Sequence, residues 1–217
     1  MERRESRNSV EVQWTPKTEL GRKVASGEIT SIDQVFASGK KILESQIIDV
    51  LLPDLKDEVI DIKSTQRMTA YGRKMAMRAV VLVGNRAGFI GVGTGKAPET
   101  RDAIAEAIKD AKKNIIRVSF GCGSWECSCS GNHSIPREVK GKASSTRITL
   151  KPAPKGVGVV AGRTARKVLT LAGLRDVWSF ASGRTRNALN TALAVIDAFK
   201  ALNKLKKGTA TADKQGE

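Results

Sequence analysis

The chain has 217 residues, 40% of them hydrophobic, enough for one large or two small domains with ordinary cores. Its 38 Lys and Arg against 22 Asp and Glu leave a formal net charge of +16, and no apolar run approaches the length of a membrane span, which argues against an integral membrane protein. A field of that sign favours nucleic acid as partner; an anionic membrane surface competes, weakened because no Lys-rich amphipathic helix with bulky aromatics is present.

Residues 1–56 hold nine basic and nine acidic side chains, so the whole +16 falls on the remainder, with 29 basic against 13 acidic. Thr15, Pro16 and Lys17 open a predicted helix to Ala25. Ile32, Val35, Phe36, Ile42, Leu43 and Ile47 then recur at helical spacing over residues 29–52, and Pro53 stops them. This neutral helical N-terminal extension reads as an element that docks on a neighbour. Met1-Glu2-Arg3-Arg4-Glu5 has no apolar core like that of a signal peptide, so the expectation is a soluble, cytoplasmic protein.

Residues 57–121 read as a small α+β domain. A strand is predicted at 59–63, a mobile loop at 67–74, a strand at 75–83 ending in the apolar run Ala79-Val80-Val81-Leu82-Val83, and another at 89–94. Gly84-Asn85-Arg86-Ala87-Gly88 between the last two is a hairpin turn, with Gly and Asn expected to supply positive φ. Pro98 fits the first turn of a helix that carries Glu99 and Asp102 at its start and Lys109, Lys112 and Lys113 at its end, with Ile104, Ile108, Ala111 and Ile115 as its buried stripe. A linker at 122–136 is followed by a C-terminal domain at 137–207. Strands are predicted there at 147–151, 158–160 and 177–180, with helices at 163–172, ended by Gly173, and at 187–205. Leu189, Leu193, Ile196, Phe199, Leu202 and Leu205 form the stripe of the last helix, and Asn187 is a candidate N-cap. Residues 208–217 are small and polar and are expected to be disordered.

Two acid-free windows carry the charge. Residues 62–98 contain Lys63, Arg67, Arg73, Lys74, Arg78, Arg86 and Lys96, and residues 139–175 contain nine Lys or Arg, with no Asp or Glu in either. Solvated faces normally mix both signs, so these windows point to phosphate contacts. Aromatics number only nine and no aromatic-rich strand is evident, so the expectation is recognition of structured RNA by shape and backbone charge rather than stacking of unpaired bases. Gly91-Val92-Gly93-Thr94-Gly95-Lys96 fails the Walker spacing, with Ile90 at the first position and Ala97 at the last. It also fails the dinucleotide fingerprint, with Lys96 at the third glycine. Two readings of these glycines remain: close approach of a phosphate to the backbone, or tight packing. Cys122, Cys127, Cys129 and His133, the only cysteines and histidine, fall within twelve positions. They suit one tetrahedral zinc; free or redox-labile thiols, or a Cys/His nucleophilic pair, are the alternatives.

The run Val80-Val81-Leu82-Val83-Gly84-Asn85 with Gly88-Phe89-Ile90-Gly91-Val92-Gly93-Thr94-Gly95-Lys96-Ala97 closely resembles the signature of the universal small-subunit ribosomal protein S5 family. Lys151-Pro152-Ala153-Pro154-Lys155-Gly156-Val157-Gly158 and Leu171-Ala172-Gly173 extend the likeness, which covers residues 57–205; the N-terminal extension and the cysteine segment resemble the archaeal type. The resemblance implies a double-stranded-RNA-binding-like domain followed by a small βαβα two-layer domain. It implies a non-enzymatic structural constituent of the small subunit, bound to ribosomal RNA and contributing to translational accuracy. Its neighbours would be ribosomal protein S4, with S3 nearby, beside the channel by which messenger RNA enters, and no homo-oligomer is expected. The segment 67–74 matches the family's RNA-inserting loop, which bears on spectinomycin sensitivity in bacterial members, but Ala70-Tyr71-Gly72-Arg73-Lys74 departs from the Gly-Gly pair common there. Candidate RNA contacts are Arg67, Tyr71, Arg73, Lys74, Arg86 and Lys96 in the first domain. In the second they are Lys151, Lys155, Arg163, Arg166, Lys167, Arg184 and Arg186.

Overall fold

A computed structural model describes residues 14–129 and 131–203. The chain divides into two units, Met1–Pro53 and Asp54–Glu217.

The first unit contains three short helices, α1 (Glu19–Ala25), α2 (Ile32–Ala37) and α3 (Gln46–Leu51). Helix α1 starts later than the Thr15 to Lys17 signal indicated because Thr18 is its cap: the Thr18 hydroxyl accepts the Gly21 N–H at 3.1 Å. The helix expected over 29–52 is interrupted after α2, where Gly39 takes φ +65°. That break carries Leu43 outward, 64% exposed, while Val35, Ile47 and Ile48 are fully buried.

The second unit is α+β. Its first sheet runs β1-β2-β3-β4, every pair antiparallel, from β1 (Lys56–Thr69), β2 (Gly72–Gly84), β3 (Phe89–Ala97) and β4 (Ile115–Arg117). Residues 67–74, expected as a loop, are instead the end of a long hairpin. Arg67 pairs with Lys74 and Thr69 with Gly72, leaving only Ala70 and Tyr71 in the turn. The outer half of β1 is solvated on both faces, so no apolar alternation marked it as a strand.

Helix α4 (Thr100–Lys113) covers one face of this sheet. Ala79, Val81 and Val83 pack there with Ala103, Ala107 and Ala111, whereas Val80 and Leu82 point into a second core on the opposite face. Burial on both faces explains the unbroken apolar run. A Cβ at Gly91, Gly93 or Gly95 would lie 2.2, 2.2 or 2.1 Å from the carbonyl oxygen of Ala111, Ala107 or Ala103. The glycines therefore let α4 lie directly on β3, and tight packing, not phosphate approach, accounts for them. The helix meets them through alanines; Ile104 and Ile108 flank that contact and Ile115 belongs to β4. Pro98 precedes the N-cap Glu99 instead of lying in the first turn. In the turn at 84–88, positive φ falls on Arg86 (57°) and Gly88 (103°) rather than on Gly84 and Asn85. Asn85 Oδ1 accepts the N–H groups of Ala87 and Phe89.

The second sheet has the order β5-β6-β8-β7, from β5 (Val139–Ala143), β6 (Thr146–Pro152), β7 (Val159–Val160) and β8 (Val177–Ser182), with β7 parallel to β8. Helices α5 (Arg163–Ala172) and α6 (Ala188–Asn203) accompany it, and Gly173 ends α5 at φ +99°, as the sequence pattern indicated. Strand β5 was not anticipated, because Val-Lys-Gly-Lys-Ala offers one large apolar side chain in five residues. On α6 the buried face is Ala192, Val195, Ile196, Phe199 and Leu202; Leu193 is 39% exposed. Leu205 and residues 208–217 lie outside the described residues. Val80, Leu82 and Ile90 of the first sheet share a core with Ile148, Leu150, Leu169, Val195 and Phe199, and Ile135 of the intervening segment is buried in it. The Arg86 and Gly88 N–H groups donate to Leu171 and Ala172 carbonyls at 3.0 and 3.1 Å, tying the two sheets together.

Candidate nucleic-acid interface and metal centre

Register converts the first acid-free window into a surface. On the face of the first sheet opposite α4, Lys63, Arg78 and Lys96 stand side by side across three strands, and Arg67 faces Lys74 nearer the hairpin tip. Like charges directly opposite one another destabilise a sheet unless an anion lies over them. Lys63 and Arg78 were in the window but not among the sequence candidates; only the pairing register reveals them. The tip adds Arg73, also exposed, and Tyr71, which is fully exposed. Arg86 sits at the other end of the sheet, in the turn against α5.

The second window contributes to the same side. A cleft of about 330 Å³ is lined by Ile60, Asp61, Lys63, Arg163, Lys167 and Arg186, among others, so cations from both windows converge there. Its acid is spoken for: Asp61 lies 2.8 Å from Lys63 Nζ. Lys167 is anchored by Glu58 at 2.7 Å and donates to the Val59 carbonyl at 3.2 Å. Arg166 and Arg184 are exposed outside this cleft lining. Lys155 lies in the loop that enters β7, beside the cysteine cluster, and Lys151 lies on the outer face of the second sheet.

Cys122, Cys127, Cys129 and His133 do come together: their ligand atoms all lie within 4.8 Å of one another. Cys129 Sγ is 2.8 Å from Cys127 Sγ, 3.5 Å from Cys122 Sγ and 3.0 Å from His133 Nε2. A tetrahedral zinc with sulfur ligands at its usual bond length holds them about 3.8 Å apart, wider than the 2.8 and 3.5 Å sulfur–sulfur contacts here but inside the 4.8 Å span of the cluster. Asp176 supplies what the sequence did not show. Its Oδ2 lies 2.8 Å from His133 Nδ1, while its Oδ1 accepts the N–H groups of Gly156 and Gly158 at 3.1 and 2.8 Å. A carboxylate at that distance favours the tautomer with its proton on Nδ1, which leaves the Nε2 lone pair facing the thiols. The Arg175 and Asp176 N–H groups in turn donate to the His133 carbonyl. The Cys127 thiol, hydrogen-bonded by Cys129 and by the Lys155 backbone, is held down to about 6, whereas burial pushes Cys122 up. Three thiols and one oriented imidazole thus fit a metal's donor set.

Two family models match. Residues 55–119 match that of ribosomal protein S5, N-terminal domain, and residues 141–212 that of ribosomal protein S5, C-terminal domain. The chain is 55% identical over 196 residues to the small ribosomal subunit protein uS5 of Methanoregula boonei, covering 90% of this chain and 96% of that one. It is 54% identical to uS5 of Methanocaldococcus jannaschii, with 88% of each covered, and 52% identical to uS5 of Pyrobaculum arsenaticum, with 86% and 93% covered. No helix among the described residues is long and apolar enough to cross a membrane.

Proposed function

Since the chain belongs to the ribosomal protein S5 family, whose members are structural and not enzymes, we propose that it is a constituent of the small ribosomal subunit that holds ribosomal RNA. The cationic face of the first sheet and the adjoining cleft grip the phosphate backbone, and the hairpin tip with Tyr71, Arg73 and Lys74 reaches into an RNA recess. The observation that carries this is the row Lys63, Arg78 and Lys96, extended into the cleft by Arg163, Lys167 and Arg186. Asp61 offsets Lys63, and a polyanion neutralises the rest of the row. S4 and S3 are its neighbours, it lies near the channel taken by incoming messenger RNA, and through these contacts it contributes to translational accuracy in the cytoplasm. The cluster of three cysteines and His133 takes one structural zinc, which gives the 122–136 segment a core of its own.

Sedimentation of a lysate through a high-salt sucrose gradient tests the reading. Stoichiometric recovery of the chain with small subunits is expected. Recovery mainly at the top of the gradient would overturn it in favour of a free-standing regulator that binds double-stranded RNA.

A further inference from the structure

The outer face of the second sheet carries a different chemistry from the cationic face of the first. Helix α6 lies on the inner side: a Cβ at Gly141 would meet Ala194 O and Ala198 N at 2.1 and 2.4 Å. Alternation therefore places Lys140, Lys142, Arg147, Thr149 and Lys151 outward, and register sets Lys151 beside Trp178 and Thr149 beside Phe180. Trp178 and Phe180 are neighbours at i and i+2 on β8, about 7 Å apart along the strand. Phe180 is 59% exposed, and Val160, paired with Trp178 from the other side, is 48% exposed. Lys151 Nζ stands 5.3 Å from the Phe180 ring centroid. Two acids reach the lysines: Glu138, at 3.7 Å from Lys151 and 4.0 Å from Lys140, and Asp197, whose Oδ2 accepts the Lys142 backbone N–H at 3.1 Å.

We propose that this open face binds an unpaired stretch of RNA, with Phe180 and Trp178 stacking on successive bases and Lys140, Lys142, Arg147 and Lys151 neutralising its phosphates. Four cations against two carboxylates, one of them held by the Lys142 backbone at the sheet edge, select a polyanion over an ordinary protein surface. An exposed Phe180 with a half-buried Trp178 beside it on the same face selects free bases over a duplex, whose bases are stacked out of reach. The aromatic pair in Val-Trp-Ser-Phe-Ala was present in the sequence, but its shared face becomes visible only once β8 is known to be a strand covered on one side. The site is independent of the cationic face of the first sheet and does not rest on the ribosomal assignment.

Fluorescence anisotropy of the full chain with a labelled dodecameric oligouridylate, and with an RNA duplex of about sixteen pairs as reference, tests it. Charge alone gives this protein some affinity for both probes, so the discriminating variant is Phe180→Ala. Oligouridylate binding is expected to weaken by about 5- to 150-fold, the range for one stacked base. Duplex binding should stay within about twofold, and Phe180→Trp should restore the single-strand affinity. The exposed ring leaves thermal unfolding of Phe180→Ala unchanged, so the test holds even where Trp178→Ala, a more buried site, fails to fold. Undetectable oligouridylate binding, an unchanged affinity in Phe180→Ala, or an equal loss on both probes would overturn the proposal; the face would then suit a protein partner.

Discussion

Gly93→Ala separates the two roles that a glycine-rich strand followed by a lysine can play. The added Cβ would sit 2.2 Å from both Ala107 O and Ala111 N and 2.7 Å from Ala111 Cα, all backbone atoms that no rotamer change can move aside. Ordinary contact begins near 3.5 Å, so α4 must retreat from β3 by about 1 Å, and a gap of that size forfeits a quarter to a half of the dispersion energy along the seam. Overpacking of this kind costs about 1–3 kcal/mol, and the triple backbone clash puts Gly93→Ala at the upper end, about 3 kcal/mol. For a unit of this length that is a fall in Tm of about 6–12 °C. Urea unfolding of the full chain, followed by far-UV circular dichroism, should show a lower midpoint with an unchanged slope. Gly162→Ser is the control: nothing lies within 4 Å of its Cβ and α5 lacks a side-chain cap, so stability should hold or rise slightly. A loss below about 1 kcal/mol in Gly93→Ala, with RNA affinity reduced instead, would refute the packing argument and return these glycines to phosphate binding.

Purified without chelator, the protein should contain about one equivalent of zinc, and Asp176→Asn should lower zinc affinity about 10- to 100-fold in a competition titration, because His133 loses the group that orients it. In the metal-free protein the Cys127 thiol is held down to about 6 from 9.0, so its thiolate favours the fold fully above pH 9, and that contribution is lost as pH falls toward 6. Chemical unfolding between pH 6 and 9 should therefore show stability rising with pH, and Cys127→Ser should flatten the rise. Arg73→Ala combined with Lys74→Ala should leave thermal unfolding unchanged yet reduce the salt slope of RNA binding by roughly two phosphates' worth; an unaltered slope would remove both from the contact list.

What was legible in the sequence depended on one-sided burial and on punctuation. Helix α5 was read with its bounds because Gly173 stops it, and β2 was read from its apolar run. Elements whose signal is shared with a distant partner were not. The outer hairpin has solvent on both sides, and β5 presents a glycine to α6 where a core strand usually shows a large side chain. The buried stripe of α4 was read in part: Ala111 lies in it, but Ile104 and Ile108 only flank it, because isoleucines advertise burial more strongly than the alanines that fit against a glycine strand. The cluster of three cysteines and His133 was evident from spacing alone, while Asp176, more than forty residues from His133 in the chain, became visible only through the fold.

The same dependence on register explains why the charge windows were informative and yet incomplete. Composition showed that no acid interrupts residues 62–98, but not that Arg67 faces Lys74 and that Lys63, Arg78 and Lys96 line up. In the second sheet Lys142 likewise faces Arg147. Each such pair forgoes the stabilisation of about 0.2–1 kcal/mol that opposite charges would give and adds repulsion. Two sheets that each tolerate this, with large apolar cores to offset it, fit the proposal that an anion completes them. The two surfaces differ in what they add to that charge. The first offers a cleft and a projecting tip, suited to the fixed spacing of phosphates in structured RNA. The second offers two neighbouring rings, suited to bases that have left a helix. Phe180→Ala and the Arg73/Lys74 pair should accordingly fail on different RNA probes, and a common failure would mean that charge alone, rather than shape or stacking, governs both faces.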